Sequence, residues 1–170
     1  MLEHADDILL GLQLLMKAVT LTQGYIGIEV NKPDAIRLFE EKTLAMPQIK
    51  VVPLQQRYPQ GGEKQLVDAV DVGAVVQNVA TAFAVYQAVM KHKPLFERYV
   101  TVTGKQLKQP ANLLVRMGTS MGELLQACGA LPEGDNKVLA GGPMMGKAVT
   151  TLEAPIVKGS NCVTVLSGAD

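Results

Sequence analysis

Little in this sequence is suited to gripping a charged polymer, a metal cluster or the interior of a bilayer. Sixteen Lys and Arg balance sixteen Asp and Glu, for a formal net charge of zero. The chain therefore lacks the basic footprint that holds a long polyanion, and no nucleic acid partner is expected. No apolar run approaches the about 20 residues that a membrane-spanning helix needs. No charged start followed by an apolar stretch marks a secretory signal. The expectation is a soluble chain in a reducing, cytoplasmic setting, with no direct membrane span. Cysteine is scarce: Cys128 and Cys162 stand far apart without a C-x-x-C partner, which supports neither a zinc site nor a disulfide framework. Both read as small buried hydrophobes. His4 and His92, on a helix flank and in a charged KHK turn, read as solvated side chains rather than ligands. No Ser-His-Asp, Cys-His or H-E-x-x-H arrangement is present, so no catalytic side chain and no metal ligand is assigned.

What remains is enough apolar material, 48% of the residues, for one large domain or two small ones. From Asp6 to Val19 the positions Ile8, Leu9, Leu12, Leu15, Met16 and Val19 recur at helical steps. YIGIEV, Tyr25 to Val30, is a short strand. NKPDAIRLFEE is a helix entered through Pro33 and Asp34. IKVVPL, Ile49 to Leu54, is a second strand, and GEKQLVDAV a helix carrying Leu66, Val67 and Val70. DVGAVVQ predicts a third buried strand. NVATAFAVYQAVMKH predicts a helix capped by Asn78, with Val79, Ala82, Phe83, Tyr86, Val89 and Met90 on its inner face. Residues 1–94 therefore read as an α/β domain with parallel strands, because each crossover helix returns the chain to the same edge of the sheet.

After Pro94 the texture changes. ERYVTVTG and NLLVRM alternate as strands, SMGELLQACG is a short helix stopped by Gly129, and KVLAGGPMMG adds a strand and a glycine-rich turn. Residues 95–150 form a second, small domain in which one helix packs over a mixed sheet and buries Leu124, Leu125, Val115 and Val138. Met144 and Met145 read as core filling, with a partner surface as the alternative. The tail at 151–170 holds one more strand candidate, which could return to either domain.

In open parallel sheets, ligands sit beyond the C-terminal ends of the strands, where helix N-termini and loop amides converge. Three places qualify: Glu29 to Asn31, Arg57 to Glu63, and Val76 to Thr81. Gly61 and Gly62, directly before a helical pattern, would let a ligand approach the backbone, and a simple turn is the plainer alternative. G-G-E-K lacks P-loop spacing, so Lys64 reads as a solvated helix residue and no ATPase is expected.

The blocks RYPQGGEKQL, VVQNVATAFAVYQAV, RYVTVTG, LVRMGTSMGELLQACG, AGGPMMG and VKGSNCV, in this order, resemble the C subunit of the bacterial Rnf electron transport complex. That family is related to the flavin-bearing, NADH-oxidising subunit of respiratory complex I. The resemblance implies a partial three-layer α/β flavin domain followed by a β-grasp-like SLBB domain. It also implies FMN as cofactor, NADH as hydride donor, and electrons passed on to 4Fe-4S clusters. Partners would be the other Rnf subunits, at the cytoplasmic face of the inner membrane, with the full-length subunit a peripheral membrane protein. By position it carries Tyr58, Gly61, Gly62 and Glu63 into the pocket wall, and Gln77, Asn78 and Thr81 onto the flavin and its phosphate. Complex I relatives have an acidic residue where Gly62 stands.

The glycine-rich flavin loop of the family lies upstream of this stretch and its cluster cysteines downstream. The chain thus resembles a middle fragment, expected to be inactive alone, with no cofactor bound and no cluster. About a dozen loop residues of the family are also skipped between Val70 and Asp71, a loop class that is often mobile. The other reading kept open is a docking module of the same complex that binds no flavin.

Overall fold

A computed structural model describes residues 1–55, 75–129 and 136–167. The chain divides into two compact units, Met1–Pro94 and Leu95–Asp170, and each has its own buried core.

The first unit opens with a short 3-10 turn and α1 (Ala5–Ala18). There follow β1 (Gly24–Glu29), α2 (Pro33–Thr43), β2 (Ile49–Leu54) and α3 (Val79–Lys91). β1 and β2 pair in parallel, from Gly24 opposite Ile49 to Glu29 opposite Leu54. Parallel strands need a crossover, and α2 supplies it with Pro33 in its first turn, where the missing N–H costs nothing. The core gathers Ile8, Leu9 and Met16 of α1, Ile28 and Ile49 of the strands, Ala82 of α3 and Phe39 of α2, the last fully buried. Gly11 lies so close to α3 that a Cβ there would come within 1.9 Å of the Ala82 carbonyl oxygen. Only a residue without a side chain lets the two backbones approach this far. At the opposite end of α1 a Cβ on Gly24 would meet the Met16 sulfur at 2.7 Å, which seats β1 under the last turns of that helix.

Two expectations need correction here. Val75, Val76 and Gln77 carry no strand pairing, so the third strand is absent over the described part of DVGAVVQ; Asp71 to Ala74 lie outside the described residues. The inner face of α3 holds Ala82, with Val79 and Phe83 packed against the core, but Val89 and Met90 are 51% and 54% exposed. α3 meets α1 through its first turns, Ala82 on Gly11 and Phe83 on the His4 ring at 4.6 Å. Its last turn is uncovered and ends on His92 in the left-handed region, φ +51°. The helix expected over GEKQLVDAV and the Val70–Asp71 link lie outside the described residues.

The second unit contains β3 (Glu97–Gly104), β4 (Ala111–Arg116), α4 (Met121–Ala127), β5 (Lys137–Ala140), β6 (Lys147–Ala148) and β7 (Cys162–Leu166). Its sheet runs β4-β3-β7-β5-β6. The tail strand β7 sits in the middle, parallel to β3 and antiparallel to β5. Alternation places Val100, Val102, Val115, Val138, Val163 and Val165 on one face, under Met121, Leu124 and Leu125 of α4. α4 starts with a capping box: Ser120 Oγ accepts from Glu123 N at 3.3 Å, and the Glu123 carboxylate accepts from Ser120 N at 2.9 Å. This satisfies two donors that the first turn leaves open.

The other face of the sheet is closed locally by the Gly141–Gly146 turn. Gly141 N donates to Cys162 O at 2.8 Å, and Thr164 Oγ1 donates to Gly141 O at 2.8 Å. Thr164 and Leu139 are buried beneath the turn, which folds so tightly that a Cβ on Gly146 would lie 2.6 Å from Gly142 O. At its tip Met144 and Met145 are 71% and 80% exposed. Core filling is therefore wrong for both: the glycines bring the backbone onto Leu139 and leave the two side chains outside.

Candidate functional site

The turn into α3 gathers three of the expected site residues. Asn78 is extended (φ −68°, ψ 146°), and its Oδ1 accepts from Ala80 N at 2.9 Å. Its backbone carbonyl accepts from Thr81 N at 2.9 Å and Ala82 N at 3.2 Å. This is N-cap geometry, with the side-chain oxygen spent on the helix. Gln77, Asn78 and Thr81 are all exposed and lie within one turn of one another. Tyr58, Gly61, Gly62 and Glu63 lie outside the described residues. At the first of the three strand-end places the chain is tied down: Val30 N donates to Leu54 O and Lys32 N to Glu29 O, both at 2.9 Å. The ends of β1 and β2 are thus knitted together by backbone.

The second unit offers a different surface. A cleft of about 340 Å³ runs between β4 and α4, lined by Leu113, Leu114, Val115, Arg116, Thr119, Glu123, Leu124 and Ala127. None of these was singled out as a site residue from the sequence, although the S-x-x-E spacing of Ser120 and Glu123 marks the helix start that forms one wall. Hydrogen bonds from the Ser120 backbone and hydroxyl hold the Glu123 carboxyl below its ordinary value, and partial desolvation opposes them. At the start of β3, Arg98 donates from a terminal guanidinium nitrogen to the Lys158 carbonyl. Its Nε is buried with no hydrogen-bond partner among the described residues, and burial pulls its pKa below the usual arginine value.

Among the described residues no three His, Cys, Asp or Glu side chains gather as a metal set, and no helix is long and apolar enough to cross a membrane. Cys128 is a buried member of the second core, as expected. Cys162 is half-buried, with Sγ 3.3 Å from Thr164 Oγ1. His4 does more than sit in solvent: besides Phe83 it faces Asp7, with Nδ1 3.3 Å from Oδ2.

This pairing of a parallel α/β unit with a small mixed sheet under one helix has known counterparts. Residues 1–87 match the Nuo51 FMN-binding domain and residues 99–148 the SLBB domain; the chain belongs to the Nuo51 FMN-binding domain family. Within it, the chain is similar to the C subunits of ion-translocating oxidoreductase complexes, the Rnf type that the sequence blocks point to. It is 40% identical to the C subunit of the proton-translocating ferredoxin:NAD(+) oxidoreductase complex of Clostridium ljungdahlii, covering 100% of this chain and 40% of that one. It is 37% identical to the C subunit of the ion-translocating oxidoreductase complex of Yersinia enterocolitica, covering 100% and 26%. With the C subunit of the Na(+)-translocating ferredoxin:NAD(+) oxidoreductase complex of Acetobacterium woodii it shares 34% identity, covering 98% and 40%.

The chain thus spans well under half the length of these relatives. The clostridial match runs over 182 positions for the 170 residues here, so that relative carries residues which this chain lacks. A solved structure, an NAD+-reducing [NiFe]-hydrogenase in the air-oxidized state, matches with a TM-score of 0.77 at 18% identity, covering 98% of this chain and 36% of that one. At that identity the likeness is one of fold.

The described residues suit the flavin mononucleotide that the family's name implies. Asn78 spends its oxygen on Ala80 and has its Nδ2 to donate, while the Gln77 amide and the Thr81 hydroxyl stand exposed beside it. All three are neutral hydrogen-bond formers at a helix start, where the dipole favours an anion by about 0.3 to 1 kcal/mol.

Proposed function

We propose that this chain is the middle part of an electron-transfer oxidoreductase subunit, one wall of an FMN site served by NADH and emptied towards iron–sulfur clusters carried elsewhere in the full-length protein. The observation that carries this reading is the Nuo51 FMN-binding domain match over residues 1–87 of the α/β unit, with Asn78 capping α3 as its local counterpart. Gln77, Asn78 and Thr81 would hold the phosphate end. Tyr58, Gly61, Gly62 and Glu63 complete the wall in this proposal.

When bound, a flavin supplies two-electron acceptance and one-electron release. The protein's own tasks are then positioning and donation. Asn78 fixes the first turn of α3, so that its amide and the Thr81 hydroxyl are held by a packed helix rather than a loop. α1 holds that helix in turn through Gly11. No side-chain nucleophile is required. The subunit would work as a peripheral member of its complex at the inner membrane, with the other subunits as partners.

The test is a titration of the intact subunit with FMN and NADH, repeated with Asn78→Ala and Glu63→Gln. Each substitution should weaken FMN affinity by about tenfold, the effect of losing one well-placed polar contact, and reduce NADH-driven bleaching. Unchanged affinity and bleaching in both variants would remove these residues from the site.

A second reading, a docking module that binds no flavin, draws on the exposed apolar side chains of the second unit: Met144 and Met145 on the glycine turn, and the Tyr99–Leu114 pair across β3 and β4.

A further inference from the structure

One edge of the second unit's sheet is left open among the described residues. β4 is outermost, beside β3. Met117 N donates to Phe96 O at 2.8 Å, which makes these two residues a bonded pair one step beyond Arg116 opposite Glu97. Along an antiparallel ladder bonded and non-bonded pairs alternate. Val115 with Arg98, Leu113 with Val100 and Ala111 with Val102 are then the bonded pairs. The N–H and C=O of Asn112 and Leu114 and the N–H of Arg116 therefore point outward, away from β3, while the Arg116 carbonyl accepts from Thr119 N at 3.3 Å. Open edges are usually blunted by proline, a bulge or inward charge. From Asn112 to Arg116 the strand has neither proline nor inward charge, and Leu114 is 54% exposed.

Alongside this edge lies the shallow cleft already described, whose lining includes Leu113, Val115, Leu124 and Ala127. Positive residues stand at the two ends of β4, of which Arg116 lines the cleft. Arg116 closes one end of β4. At the other end Lys108 precedes the strand and packs against the turn after α4, where a Cβ on Gly129 would lie 3.0 Å from the Lys108 Cβ. The acid in the lining, Glu123, has its carboxylate turned onto Ser120 N and Oγ at 2.9 Å.

We propose that this edge and cleft receive an extended segment of a partner protein, which adds a strand beside β4. Backbone hydrogen bonds to the N–H and C=O of Asn112 and Leu114 and to the N–H of Arg116 would fix it. Its inward side chains, at alternate positions, must be apolar to enter the cleft over Leu113 and Leu124. Its flanks are acidic, because Arg116 and Lys108 stand at the two ends, and like charge there would repel. The recognised partner is an acidic-flanked β-strand segment, and the site is independent of flavin binding in the first unit.

The probe is a fluorescein-labelled peptide of valine alternating with threonine, flanked by glutamates, titrated against the full 170-residue chain by fluorescence anisotropy. Saturable binding is expected. N-methylation of alternate peptide nitrogens, which removes donors and keeps the side chains, should abolish it. Arg116→Glu and Ala127→Glu should each weaken binding about tenfold without lowering the melting temperature, and lysine on the flank beside position 116 alone should restore binding to Arg116→Glu. The proposal is overturned if the parent peptide does not bind, or if the N-methylated peptide binds equally. Sedimentation showing that the chain pairs with itself, in a way that Arg116→Glu abolishes, would also overturn it by assigning the edge to a second copy.

Discussion

The two units put their polar backbone groups to opposite uses. In the first, the ends of the parallel strands are tied by Val30 N to Leu54 O, and the candidate chemistry sits at a helix start, where Asn78 organises donors suited to a small anion. In the second, the helix start is sealed by the Ser120–Glu123 box, and the open groups lie along a strand edge, a shape that suits another chain. A capped helix whose cap is Asn keeps an amide for a ligand; one capped by Ser with a reciprocal Glu spends both partners on itself. The difference teaches that a helix start keeps a donor to offer outward only where its cap residue has a second polar atom to spare.

The widest gap between the units should come from their cores. Phe39→Ala in the first and Leu125→Ala in the second each empty a fully buried position, at a cost of about 3–5 and 2–5 kcal/mol respectively. Hydrogen exchange should show Phe39→Ala loosening β1 and β2, and Leu125→Ala loosening β3, β4 and β7. Loss of protection in the wrong unit would break the two-core description.

Next comes Gly11→Ala. Helix propensity favours alanine by about 1 kcal/mol, but the new Cβ would press on the backbone of Ala82, and overpacking costs about 1–3 kcal/mol. The clash is with a carbonyl rather than a yielding side chain, so chemical denaturation should show a net loss. A stabilised variant would mean that α1 and α3 separate easily.

The smallest effect belongs to the capping box. Glu123 is held below its ordinary value by hydrogen bonds from Ser120. A depressed carboxyl stabilises fully above its unfolded value and loses that contribution as pH falls through the folded one. The melting temperature of the wild type should exceed that of Glu123→Gln near neutrality, and the gap should close on acidification. A gap that widens in acid would reverse the assignment.

Much of this was legible in the sequence because the signals are local. Pro33, Asn78 and Gly129 punctuate helices, and Ile49 to Leu54 is a strand as read. The place of β7 was not legible: five residues, CVTVL, carry a strand period but nothing that names β3 and β5 as neighbours. Met144 and Met145 misled because hydrophobicity says nothing of a turn whose glycines, rather than its side chains, make the contact. Val89 and Met90 keep the helical period on a last turn whose side chains are exposed. The β4 edge was invisible for a different reason, since its groups belong to the backbone and every sequence has them. Of the candidate flavin residues, Gln77, Asn78 and Thr81 fall together, and they were found by family resemblance, with the Asn78 cap as the only purely local cue.

The most direct measurement is the visible absorption spectrum of the purified full-length subunit, before and after NADH. A flavin band that bleaches on reduction is the predicted result. A colourless protein that takes up no FMN on reconstitution would contradict the account and leave the α/β unit a scaffold.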